Sequence, residues 1–206
     1  MARTLAFDGP SEVVRELTRL LHAGELVRPT KPPVAGDRLE TVRLSRDAVA
    51  VLSTGAARRA LGAAAKARTN TEVVWSDGGD ELAVDPAKIG VATTAGAIAV
   101  TVPVRCDETG PVSVEVTFAV GAPGRPAGLF AATSDRPRGP AVVVDRWADA
   151  LIAFAWSAVL ELVSSVAGTI GRDAHGDRLI PGALVATDDG LEVVPVARHR
   201  LGRLQS

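Results

Sequence analysis

The chain has 206 residues and a formal net charge of −1, from 23 basic and 24 acidic side chains, so no overall field gathers nucleic acid or an anionic membrane. Its length suffices to bury about 70% of the unfolded surface without covalent staples. Cys106 is the single cysteine, which excludes an intrachain disulfide and a cysteine-cluster metal site.

Single-stranded nucleic acid is a poor partner as well. The chain has no Tyr, three Trp and four Phe, too few rings for a stacking platform. The opening MARTLAFDGPSEVV lacks the continuous apolar core of about seven or more residues found in a signal peptide. With one cysteine, this gives a cytoplasmic expectation. No repeat or internal boundary interrupts the chain, so residues 1–206 are read as one domain, with an N-terminal helix and arm over 1–38 and a basic tail over 197–206.

In chain order, Ser11 caps a first predicted helix whose Val13, Val14, Leu17, Leu20 and Leu21 share one face, ending near Gly24. RPTKPPVAG, from Arg28 to Gly36, is too rich in Pro for helix or central strand and reads as an extended connector. Leu39 to Leu44 alternates as a short strand. Ser45 then caps a second helix, with Leu44 and Val49 placed as a hydrophobic staple. Gly55 and Gly62 lie in its Ala-rich continuation, and a break or kink is expected at Gly55.

From Thr71 the apolar period switches from helical to two, predicting a meander of antiparallel strands. A two-residue loop at Gly78 and Gly79 opposes Trp75 to Leu82 and Val73 to Val84. A short strand follows near Ile89 to Ala92. Ile98, Val100, Val102, Val104 and Cys106 alternate, as do Val112, Val114, Val116, Phe118 and Val120. With Asp107 to Pro111 as loop, 106 faces 112, 104 faces 114, 102 faces 116 and 100 faces 118. Pro103 requires an edge, or a position pointing away from a partner strand.

Leu129 to Thr133 adds another predicted strand, and Val142 to Val144 a strand leading into WADALIAFAWSAVLELVSSVAG, Trp147 to Gly168. That run is the most apolar in the chain. At about 100° per residue its polar and small side chains form one row, Asp149, Ala153, Ser157, Glu161 and Ser165. Large apolar residues cover the rest, well beyond the roughly 100° stripe of a surface helix. Asp145 is the expected N-cap. A membrane span has the same length, about 20 residues, but Glu161 near its centre and the strand-rich remainder favour burial in a soluble core. A last hairpin is predicted to turn at Asp189 and Gly190.

The fold class that results is α+β: an antiparallel meander packed around one long, largely buried helix (about 146–168), with two N-terminal helices and a C-terminal hairpin. Cys106 continues an inward strand face and reads as a small hydrophobe. GAPGRPAG (Gly121 to Gly128) is no phosphate cradle, because Pro123 and Pro126 remove amide donors. Arg58, Arg59, Lys66 and Arg68 give the second helix a basic face.

Three functional expectations follow. With no nucleophile elbow, Walker A loop or HExxH motif in the sequence, the first is a non-catalytic structural or protein-interaction subunit without cofactor. It associates with a protein partner or with itself along Asp149, Ala153, Ser157 and Glu161. The second is a protein binding a small apolar ligand between sheet and long helix, with Glu161 as polar anchor. The third is a metal-assisted enzyme at Asp173, His175 and Asp177, an oxygen–nitrogen–oxygen set that competes with ordinary turn chemistry at Gly176–Asp177.

Overall fold

The computed structural model describes residues 3–4, 41–61, 72–125, 127–128, 133–167, 176 and 179–197. The elements in order are β1 (Arg3–Thr4), β2 (Val42–Ser45), α1 (Arg46–Ala60), β3 (Val73–Asp77), β4 (Asp80–Val84), a 3₁₀ turn (Pro86–Lys88) and β5 (Gly90–Thr94). They continue with β6 (Ala97–Cys106), β7 (Gly110–Ala119), β8 (Ala127–Gly128), β9 (Thr133–Ser134), α2 (Ala141–Ala167), β10 (Leu179–Thr187) and β11 (Gly190–Ala197). The predicted first helix, the Pro-rich connector, residues 62–71, the Asp173–Asp177 set and the tail beyond Ala197 lie outside the described residues, Gly176 excepted.

Seven strands form one sheet in the order β1, β3, β4, β6, β7, β9, with β5 also paired to β6, and four form a second in the order β2, β11, β10, β8. All these pairings are antiparallel except β1 with β3. The sheets are joined through turns: Gly96 N donates to Ala186 O at 3.1 Å, Ala186 N to Gly121 O at 2.9 Å, and Ala95 N to Asp188 Oδ1 at 3.1 Å.

The alternation read from the sequence sorts inside from outside along β6, where Ile98, Val100 and Val102 are fully buried. It also sorts β7, where Val114 and Val116 are closed and Ser113 and Ala119 exposed. The hairpin at Gly78–Gly79 has the expected partners, Trp75 with Leu82 and Val73 with Val84. The next hairpin differs by two residues: Cys106 faces Gly110, Val104 faces Val112 and Val102 faces Val114. A shift of two leaves every side chain on its own face. The cause is the loop, which is three residues long because Gly110 takes a left-handed φ of 65° and closes it early.

Two prolines thereby enter the ladder as the cross-strand neighbours Pro111–Arg105 and Pro103–Ser113. Pro103 lies where β6 exchanges one neighbour for another, since β5 pairs with Ala97 to Thr101 and β4 with Val104 and Arg105. Its carbonyl accepts Asp85 N at 3.0 Å on that side, so the missing N–H takes nothing from the β6–β7 ladder.

The long helix begins earlier than expected. Pro140 O accepts Val143 N and Val144 N, both at 3.0 Å, which makes Pro140 the residue that opens the helix. Val142 to Val144 are its first turn rather than a strand. Burial of Val143 and Val144, 1% and 3% exposed, overrides the strand preference of β-branched side chains. Asp145 is therefore not the N-cap; it lies within the helix and pairs with Arg136.

Helix α1 is capped as expected: Ser45 Oγ accepts Ala48 N at 3.3 Å, and Leu44 and Val49 of the staple are buried. Gly55 causes no break, because α1 runs continuously from Arg46 to Ala60. Packing against α2 and β5 outweighs a propensity cost of about 1 kcal/mol. The small buried side chains Ser53, Ala56 and Ala57 allow that close approach.

The core lies between the seven-stranded sheet and α2, and all three Trp of the chain join the two. Trp75 on β3 meets Trp147 at 6.3 Å and the edge of Phe154 at 5.8 Å, while Phe118 on β7 meets Trp156 at 4.9 Å. These separations suit tilted and edge-to-face ring contacts. Arg146 fixes the start of the helix to the β3–β4 hairpin by pairing with Asp80 and donating to the carbonyl of Asp77.

The last hairpin turns one residue earlier than expected, through Asp188 and Asp189, with Thr187 opposite Gly190. Thr187 Oγ1 accepts Asp189 N at 3.2 Å, which favours this turn. Gly190 is also required where it sits: φ is 142°, and an added Cβ would lie 1.9 Å from Leu44 O. We predict that Gly190→Ala lowers stability by more than about 3 kcal/mol. Gly110→Ala, with open space around its Cβ position, costs about 1 kcal/mol. Urea unfolding of both variants measures the difference; equal costs would contradict this close approach.

Candidate functional site

The long helix carries most of the residues singled out from the sequence, and its polar row does not stay together. Asp149 is exposed, Ala153 is buried at 6% exposure, and Ser157 and Glu161 are half-buried. Ser165, the last of the row, is exposed again. Ala153 belongs to the interior rather than to an open edge.

Glu161 faces the second helix. Arg59, in the last turn of α1, donates from Nε to Glu161 Oε2 at 2.9 Å and from Nη2 to the Glu161 carbonyl at 3.2 Å. The side chains are 45% and 39% exposed. Water still reaches both, so the acid on this apolar helix is met by one cation and by solvent. A charge pair this open contributes under about 1 kcal/mol. Sequence reasoning found both residues but not their pairing, since 102 positions separate them.

The open strip of α2 instead runs through Ala148, Ile152 and Trp156, four residues apart and partly exposed while packed against the core. Asp149 lies beside it. Neighbouring positions are closed: Leu151 is fully buried, Ala155 also, and Val159 is 1% exposed. Trp156 is held by its contact with Phe118. The wheel could have shown these spacings, but it could not show that packing leaves these three partly exposed.

A concavity of about 350 Å³ lies on the outer face of the large sheet, away from α2, with Ala83, Pro103, Pro111 and Ser113 among its lining. Its rim carries two ion pairs, Lys88 Nζ to Asp85 Oδ2 at 3.0 Å and Arg105 Nη2 to Glu72 Oε2 at 2.7 Å. The hydrogen bond to Asp85, reinforced by Coulombic attraction, raises the pKa of Lys88 above its ordinary value. Glu72 does the same for Arg105. The strand pattern gave no signal of this groove, because it depends on where β6 changes neighbours.

No protein family, curated protein or solved structure matches this chain. The site therefore rests on its own geometry. Among the described residues no group of three or more His, Cys, Asp or Glu is placed to hold a metal ion, and Asp173, His175 and Asp177 lie outside them. Cys106 is buried, with Sγ 3.2 Å from Thr109 Oγ1.

A double-mutant cycle of Arg59→Met and Glu161→Gln is expected to give a coupling energy below about 1 kcal/mol that shrinks in high salt. A salt-insensitive coupling of several kcal/mol would mean that the pair is sealed from water.

Proposed function

We propose that this chain is a non-catalytic protein-interaction subunit whose partner docks on the α2 strip of Ala148, Ile152 and Trp156, with Asp149 at its margin. The observation that supports this reading is the position of Ile152 and Trp156. They are large apolar side chains one turn apart on the most buried helix, and both are left partly open. Buried aromatic anchors dominate binding energy at protein interfaces. An anchor already held by Phe118 on a rigid core helix loses little side-chain entropy on docking.

The ionisable groups around the groove and between the helices pair carboxylate with cation in solvent-exposed contacts, the chemistry of surface ion pairs rather than of an activated nucleophile. A reducing, cytoplasmic setting belongs to the same proposal. It rests on the single, buried cysteine.

A photoreactive phenylalanine placed at Trp156 in the full chain, expressed in its own host, tests the reading. The expected result is one discrete adduct of constant mass, lost when Ile152→Glu is added and absent when the photoreactive group replaces Val51, which is 78% exposed on α1. Absence of any adduct from position 156 would overturn the proposal.

A further inference from the structure

We draw no further inference here: the strongest candidate, the groove between Lys88 and Arg105 on the outer face of the large sheet, has both cations already paired with Asp85 and Glu72, and nothing in the structure shows what covers it.

Discussion

The packing of α2 onto the inner face of the seven-stranded sheet is the contact on which the remaining structure depends. At 27 residues the helix is about 40 Å long, and its Leu151, Val159, Leu162 and Val163 are at most 1% exposed. Each such side chain stabilises the fold by about 1.5 to 3 kcal/mol when withdrawn from water. Its length and composition would also suit a membrane span, yet here the strands and α1 supply the apolar surroundings. The aromatic contacts at Trp75, Trp147, Phe154, Phe118 and Trp156 lie along this same seam.

Polar groups are arranged around that seam according to what burial permits. Arg146 holds the β3–β4 hairpin to the first turns of the helix, and Arg59 holds α1 to its C-terminal half through Glu161. Both guanidinium groups remain partly exposed, so their charges stay hydrated. These contacts select how elements meet; the apolar seam supplies most of the stability. Ile152 and Trp156 lie at the margin of that seam, partly exposed to water.

Much of this was legible in residue patterns. The period of two along Ile98 to Cys106 and Val112 to Phe118 identified the strands and their inner faces, because alternate side chains point to opposite sides. The Gly78–Gly79 hairpin and the Ser45 cap followed from local chemistry alone. Register was less legible at Asp107–Pro111 and Asp188–Gly190, where a glycine conformation or a side-chain hydrogen bond within the turn selects among turns of similar local preference. The Val142–Val144 turn was misread as a strand because its helical conformation is dictated by the core it enters. On α2, the wheel puts Asp149 and Glu161 in one row by spacing alone. The burial of Ala153, the Arg59 contact and the outer groove all depend on elements distant in sequence.

Native-state hydrogen exchange tests most directly the claim that α2 is the buried organising element. Amides from Ala150 to Val163 are expected to exchange only with the free energy of global unfolding, together with those of Val100 to Val104 on β6. Exchange of the helix through a local opening several kcal/mol easier than that of β6 would contradict it.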